Sequence, residues 1–290
     1  MGKTSEGGRA DTTRSPATPD FRVIKPTRGW RNLDLRELFE YRDLFLFLVW
    51  RSLKVRYAQS VLGIGWAILQ PVAQMVVFTA VFGSLVGIPS EGLPFAVFTY
   101  TAILPWTLFS TSLAEATESL VAQAQLVSKV YFPRILLPLA AVVARLVDFG
   151  IAAAVLVGLL VWYGIRPTSA VVAVPLLVVV LAAFSAGAGM WLSALAIQYR
   201  DVKYAMNFLI QLFMYAAPVV YPVRLVPEEL RSLYALNPLV GVVEGFRAGI
   251  LGAGPLPWGW IAEGAVVAMI ILVSGAHYFR RKERVFADVV

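Results

Sequence analysis

Long apolar stretches alternate with short polar connections along most of this chain. Residues 61–90 contain no charged side chain, and neither do residues 167–199. A helix crosses the hydrocarbon part of a bilayer with about 20 predominantly apolar residues. Each of these stretches is therefore long enough to span a membrane, and the pattern predicts an all-α polytopic membrane protein.

Six apolar stretches are predicted to be transmembrane helices. Their approximate bounds are 61–86, 95–116, 135–163, 170–197, 204–221 and 258–279. Small residues recur at four-residue spacing in the fourth stretch, for example at Ala183 and Gly187 and at Ser185 and Gly189. This spacing predicts a helix that approaches its neighbours closely.

An amphipathic segment, residues 33–58, precedes the first span. Asp34 and Glu37 have the spacing of a helix-capping box, and five charged side chains of the segment fall within an arc of about 80°. Such a helix is expected to lie in the cytoplasmic membrane interface. The alternative is a first span, which its four basic residues between positions 42 and 56 disfavour.

The connection before the last span, residues 222–257, is more apolar than an ordinary loop. It is nevertheless too polar and too broken by glycine to cross the membrane, and it holds Asn237, Pro238, Glu244 and Arg247. Two short re-entrant helices fit this pattern, because irregular backbone at membrane depth has to be buried in protein. An outer loop that rests on the headgroups is the alternative.

Composition and charge agree with a membrane protein. Hydrophobic residues make up 59% and charged residues 15%, whereas soluble domains carry about 25% charged residues. With both termini inside, the cytosolic segments hold 20 of the 25 Lys and Arg residues and the outer segments hold 4. This asymmetry predicts cytosolic termini. The net charge of +7 is concentrated at the ends of spans, so lipid headgroups and not nucleic acid are the expected partners.

The terminal segments are predicted to be cytosolic tails. Residues 1–32 are rich in Gly, Ser, Thr, Pro and Arg and lack an apolar core, which is typical of a disordered segment. Residues 281–290 follow the last span and form the second tail.

The sequence offers little for catalysis or metal binding. It has no cysteine and one histidine. Gly2-Lys3-Thr4 resembles the end of a phosphate-binding loop, but the earlier glycine and the preceding strand are missing. The chain is therefore predicted to be a transport subunit that binds no cofactor and receives its energy from another protein.

Charges and tryptophans inside the spans are the remaining candidates for function. Arg145 and Asp148 lie three residues apart on one helix face and can form an ion pair. A structural pair is the preferred interpretation, and a proton relay is the alternative. Trp66 and Trp106 are candidates for contact with sugar rings, because aromatic faces are flat and apolar. Packing in a dry core is the alternative for each tryptophan.

Several motifs, in this order along the chain, resemble one family. They are RYAQSVLGIGW at 56–66 with Gln70-Pro71, LPW at 104–106, LVSKVYFPR at 126–134 with Leu137-Pro138, YRDVKY at 199–204, APVVYP at 217–222, Asn237-Pro238, EGFR at 244–247, and FADVV at 286–290. Together they resemble the membrane (permease) subunit of ABC-2 type exporters for O-antigen, teichoic acid and capsular polysaccharide. The resemblance covers the chain from about residue 35 to its end.

The resemblance implies a fold and an assembly. The fold has an interfacial helix followed by an ABC-2 type transmembrane domain at 59–280, with six spans and two re-entrant outer helices. The assembly is a homodimer with two separate ABC ATPase subunits, which bind ATP and Mg. Its implied task is export of polyprenyl-pyrophosphate-linked polysaccharide, with O-antigen expected, across the bacterial inner membrane.

Two other transporters and an enzyme are the alternatives. An ABC-2 exporter of a small molecule shares the same fold. A proton-coupled transporter would depend on Arg145, Asp148 or Glu263. A membrane glycosyltransferase or acyltransferase is disfavoured because catalytic motifs are missing.

The resemblance also implies roles for particular residues. A cytoplasmic coupling helix that contacts the ATPase corresponds to the segment from about Glu118 to Arg134. Within it, ATPase coupling is assigned to Ser128, Lys129, Val130, Tyr131, Phe132, Pro133 and Arg134. The substrate path is assigned to Arg51, Lys54, Arg56, Tyr57, Trp66 and Trp106. The three basic residues of this path are expected to attract pyrophosphate, with anionic lipid headgroups as the alternative ligand. The outer gate is assigned to Asn237, Pro238, Glu244 and Arg247.

Overall fold

The computed structural model describes residues 39–58 and 60–283, and every regular element in these residues is a helix. The predicted tail at 1–32, the capping box at Asp34 and Glu37, and residues 284–290 lie outside the described residues. Ten α-helices follow one another in the described part: α1 Arg42–Tyr57, α2 Gly65–Phe78, α3 Phe95–Ala122, α4 Ala124–Lys129, α5 Leu136–Trp162, α6 Val174–Ala196, α7 Asp201–Tyr215, α8 Glu228–Ala235, α9 Pro238–Phe246 and α10 Trp258–Lys282. The predicted all-α class is confirmed.

Shorter helical turns extend or connect these helices. α2 continues into a π-helical turn, Thr79–Leu85, and α9 continues into another, Arg247–Leu251. A 3-10 turn, Ser169–Ala173, leads directly into α6, and a second one, Val223–Leu225, precedes α8. The extensions lengthen α2 and α6 into rods of 21 and 28 residues.

Four helices in the described part of the chain have the length and apolar composition to cross a membrane. They are Gly65–Leu85, Leu136–Trp162, Ser169–Ala196 and Trp258–Lys282, and they coincide with the first, third, fourth and sixth predicted spans. The second and fifth predicted spans correspond to α3 and α7. α3 has 28 residues but carries Glu115 and Glu118, and α7 has only 15 residues. Six spans therefore stay a prediction.

α6 packs between α3 and α10 at the centre of the bundle. A Cβ atom on Gly187 would lie 2.5 Å from the backbone of Leu272 in α10, and one on Gly189 would lie 2.5 Å from the Cβ atom of Ala116 in α3. Residues two apart on a helix point about 200° away from each other, so the two glycines face different neighbours. The predicted close approach at small residues is confirmed.

The connection between α7 and α10 folds into the two short helices α8 and α9. α8 is short and largely exposed, whereas every residue of α9 and its π-helical extension is buried except Glu244. Asn237 begins α9, because its side-chain oxygen accepts a hydrogen bond from the backbone N–H of Leu239. The two helices are found where two were predicted, and their re-entrant placement stays a prediction.

Candidate functional site

Four charged side chains form a closed ring where α1, α3 and α5 meet. Arg56 at the end of α1 reaches Glu115 of α3 at 2.5 Å and Asp148 of α5 at 2.6 Å. Arg145 of α5 reaches the same two carboxylates at 2.6 Å and 3.1 Å. The hydroxyl of Tyr57 also donates a hydrogen bond to Asp148. Each arginine thus contacts both acids in this charge ring, defined as Arg56, Glu115, Arg145 and Asp148.

The charge ring is electrically balanced and mostly shielded from solvent. Between 15% and 26% of each ring side chain is exposed. Burial alone would lower the pKa of Arg56, but the charges of Glu115 and Asp148 outweigh it and raise the pKa above its usual value. Burial and the hydrogen bond to Asp148 raise the pKa of Tyr57. Arg56 therefore stays charged, and its ion pairs hold the end of α1 against the bundle.

A cavity of about 380 Å³ lies beside the charge ring. Its lining includes three residues of the charge ring, Arg56, Arg145 and Asp148, together with Tyr57. The other lining residues come from α3, α5, α2 and the connection before α2, and they are Gly63, Trp66, Ala67, Gln70, Pro71, Leu104, Thr107, Leu108, Thr111, Phe149 and Ala152. Pockets of this size accommodate small molecules or parts of larger ones. The lining combines one indole ring with hydroxyl, amide and charged groups, a mixture that suits sugar rings and their hydroxyl groups.

The structure brings three of the six predicted path residues to this cavity. Arg56 and Tyr57 lie on one side of it, and Trp66, which is about half exposed at 46%, lies on the other. Trp106 does not line the cavity. It is 4% exposed in the core, where its ring centroid lies 5.9 Å from that of Phe109. Trp106 therefore occupies the packing position that was the alternative for it.

The other two predicted path residues, Arg51 and Lys54, are exposed on α1. A guanidinium nitrogen of Arg51 donates to the side-chain oxygen of Gln123 at 3.2 Å. The ammonium group of Lys54 lies 4.8 Å from the centre of the Trp50 ring. Arg56 is already bound by two carboxylates. Among the residues that the structure describes, Arg51 and Lys54 contact an amide and an aromatic ring and no carboxylate.

Glu115 is the ring member that sequence reasoning missed. The pairing of Arg145 with Asp148 follows from helix spacing, but Glu115 is 59 residues from Arg56 and 30 from Arg145. One sequence signal marks it: Glu115 is the first charged residue after Glu91. A charge within such an apolar stretch needs a partner, because an unpaired one is costly there.

Residues 128–134, hereafter the coupling segment, connect the end of α4 to α5. Phe132 and Pro133 are buried, while Ser128, Lys129, Val130 and Tyr131 are exposed. The backbone N–H of Arg134 donates to a carboxylate oxygen of Glu283 at 2.8 Å, and its guanidinium donates to the Glu283 carbonyl at 2.9 Å. Phe132 and Arg134 therefore fasten the segment, and Val130 and Tyr131 project from it.

Arg247, one of the predicted gate residues, is among the largest fully buried side chains, with 1% exposed. Its guanidinium donates to Glu244 at 2.8 Å and to the carbonyl groups of Val219 at 3.1 Å and Tyr221 at 3.3 Å. The same group lies 3.8 Å from the centre of the Phe98 ring. Arg247 thus ties α9 to the loop that follows α7.

Asn237 and Pro238, the other two predicted gate residues, lie at the start of α9. The Asn237 amide donates to the carbonyl of Ala216 at 3.0 Å while its oxygen caps α9. Pro238 is the first residue of α9, a position where a missing N–H and a fixed φ favour helix initiation. The four predicted gate residues therefore lie in two pairs at opposite ends of α9, and Asn237 and Arg247 both donate to carbonyl groups that follow α7.

Comparison with known proteins identifies relatives that share most of this chain. Residues 43–251 match the ABC-2 type transporter family. The chain is 32% identical to the O-antigen export system permease protein RfbA of Myxococcus xanthus, over 88% of this chain and 98% of that protein. It is 28% identical to the RfbA protein of Klebsiella pneumoniae, over 86% and 95%. It is 25% identical to the polysialic acid transport protein KpsM of Escherichia coli, over 82% and 92%.

Proposed function

The chain belongs to the ABC-2 type transporter family, and from this premise we propose that it is the membrane subunit of an ATP-driven polysaccharide exporter. Its homology to O-antigen export permeases over 88% of its length is the observation that carries the proposal. The proposed cargo is O-antigen linked to polyprenyl pyrophosphate, since the identity to the polysialic acid transport protein is lower than the identity to the O-antigen export permease. The proposed location is the bacterial inner membrane.

The proposed membrane arrangement uses six spans: α2, α3, α5, α6, α7 and α10. α8 and α9 form the re-entrant pair on the outer side, and α1 lies in the cytoplasmic interface. The distribution of Lys and Arg supports cytosolic termini. The buried Leu48 and Val49 of α1, beside the exposed Phe47 and Trp50, support a helix that packs on the bundle with one face.

The proposed assembly contains two copies of this chain and two ABC ATPase subunits, which hold ATP and Mg. α2 buries only Pro71 and Met75, and α7 buries only Met206. The remaining faces of these two helices are available to a second copy. ATP-driven closure of the ATPases would press on the coupling segment and open a path between the two permeases.

In this mechanism the glycan carrier enters from the cytoplasmic leaflet beside α1. Arg51 and Lys54 are the basic residues available to its pyrophosphate or to anionic lipid headgroups. The charge ring argues against a proton relay at Arg145 and Asp148, because each ring carboxylate is held by two guanidinium groups.

Reconstitution with the ATPase that co-purifies with this chain tests the proposal. Proteoliposomes that contain both proteins are expected to translocate a polyprenyl-pyrophosphate-linked glycan when ATP is supplied. An ATPase variant that binds but does not hydrolyse ATP is the control and is expected to abolish translocation. Glycan movement driven by a proton gradient without the ATPase would contradict the proposal. ATP-driven transport of a different compound, with no translocation of the glycan, would also contradict it.

Alanine at both Val130 and Tyr131 is expected to weaken ATPase association by at least about tenfold. Both side chains are exposed on the coupling segment, with 48% and 73% of their surface accessible, and a buried interface tyrosine contributes about 2 kcal/mol or more. Co-purification of the ATPase with the membrane-inserted chain measures the effect.

Tyr163→Ala is the matched control for this variant, because Tyr163 is an exposed tyrosine at the other end of α5. It is expected to leave ATPase association intact. Equal association in the double variant, Tyr163→Ala and the unchanged chain would show that the contact lies elsewhere.

A further inference from the structure

We propose that the charge ring is a mechanical joint through which movement of the coupling segment reaches α1, with Glu115 as its positioning residue. This inference rests on the proposed export function. It concerns how the binding of an ATPase on one side of the bundle changes the cavity beside α1.

α3 and α4 together connect the charge ring to the coupling segment. The helix runs without a break from Glu115 to Ala122, a distance of about 10 Å. Gln123 alone separates it from α4, which leads into the coupling segment. An α-helix is stiff over two turns, so a displacement at the coupling segment moves the Glu115 carboxylate with it.

Two polar contacts join α1 to this part of α3. Arg51 contacts Gln123 at 3.2 Å in an exposed position. Arg56 contacts Glu115 through one nitrogen and both carboxylate oxygens, at 2.7 Å and 2.5 Å. Charge-assisted contacts with this geometry are about twice as strong as neutral ones. The second contact therefore carries most of the polar attachment between the two helices.

Glu115 is placed to hold three helices in register. Its carboxylate on α3 accepts from Arg56 of α1 and from Arg145 of α5 at the same time. Asp148 also contacts both arginines, but one of them, Arg145, lies on the same helix as Asp148. Asp148 therefore connects only α5 and α1. Glu115 is the ring member that connects the coupling side of the bundle to both other helices.

The connection between α1 and α2 contains a glycine in the left-handed conformation, Gly63. Gly63 has a φ of +49°, and no atom lies within 4 Å of the position that a Cβ atom would take. Its backbone conformation is one that glycine adopts readily, and its N–H donates to the hydroxyl oxygen of Ser60 at 3.1 Å. Arg56 and Tyr57 line the cavity on the α1 side and Trp66 on the α2 side, so movement of α1 changes the width of the cavity.

Because the ring is electrically balanced, suitable variants can distinguish an effect on stability from an effect on the coupling of ATP hydrolysis to export. Arg56→Gln or Glu115→Gln alone leaves one uncompensated charge in a poorly solvated site. Arg56→Gln and Glu115→Gln together leave the neutral pair of Arg145 and Asp148 intact. The double variant therefore removes the joint between α1 and α3 without leaving an unpaired charge.

The experiment compares these three variants in cells that carry only the plasmid copy of the permease and its ATPase. Both single variants are expected to lower the melting temperature of the purified complex and to reduce surface polysaccharide. The double variant is expected to regain most of the melting temperature but to export at least about fivefold less than the unchanged chain. ATPase co-purification and ATP hydrolysis are expected to persist, which is the signature of an uncoupled transporter.

Asp43→Asn and Glu229→Gln are the matched controls, since both carboxylates are exposed and lie outside the ring. They are expected to change neither melting temperature nor export. Full export by the double variant would show that the ring only stabilises the fold, and loss of ATPase binding would place the defect at the interface. Either result overturns the inference, whereas absence of export by the unchanged chain refutes the proposed function instead.

Discussion

Arg247→Met is expected to lower the free energy of unfolding by about 3–5 kcal/mol, the cost of leaving one partner of a buried ion pair alone. Methionine fills much of the same space but removes the donors to Glu244, Val219 and Tyr221. It also removes the positive charge from the face of Phe98. The loop after α7 would then lose its attachment to α9. Denaturant titration of the detergent-solubilised protein measures the effect.

Arg231→Met is the control for this prediction. Arg231 also donates to backbone carbonyl groups, those of Val226 and Arg224, and pairs with Glu228, but it lies on α8 with 27% of its side chain exposed. Its replacement is expected to cost about 1 kcal/mol or less. Adding Glu244→Gln to Arg247→Met is expected to recover part of the loss, because the unpaired carboxylate is removed. Equal stability of the two methionine variants would contradict this account.

Gly187→Ala is expected to destabilise the protein by about 3 kcal/mol, at the upper end of the usual range for overpacking. The added methyl group would lie 2.5 Å from the Cα and N atoms of Leu272. Backbone atoms cannot rotate away as a flexible side chain can, so α6 and α10 have to separate. The melting temperature of the purified protein measures the loss, and a larger residue such as leucine is expected to prevent folding.

Gly158→Ala in α5 is the matched control, and its expected effect has the opposite sign. No atom lies within 4 Å of the position of the new methyl group. Alanine is about 1 kcal/mol more favourable than glycine inside a helix, so this variant is expected to match or exceed the stability of the unchanged chain. A comparable loss in both variants would mean that helix flexibility, and not close packing, explains the glycine at 187.

The helices that were easiest to predict are those whose signal is local. Four long apolar stretches gave α2, α5, α6 and α10, because hydropathy over about 20 residues depends on no distant partner. The prediction placed the end of the second span at residue 116, whereas α3 continues to Ala122. Charged residues at 115 and 118 weaken the hydropathy signal there, although Glu115 is compensated by arginines from α1 and α5.

The candidate site was harder to predict because its contacts join distant parts of the chain. Trp66 and Trp106 look alike in the sequence, since each lies among small or polar residues in an apolar stretch. One lines the cavity and the other is buried against Phe109, a difference decided by which neighbouring helix each face meets. The pairing of Arg145 with Asp148 lies on one helix and follows from spacing, whereas the bridge through Glu115 does not.

The two contacts between Arg134 and Glu283 bear on how this protein is best handled in the laboratory. Glu283 directly follows α10. An affinity tag or fluorescent fusion joined directly after α10 would therefore lie close to the residue that fastens the surface expected to receive the ATPase.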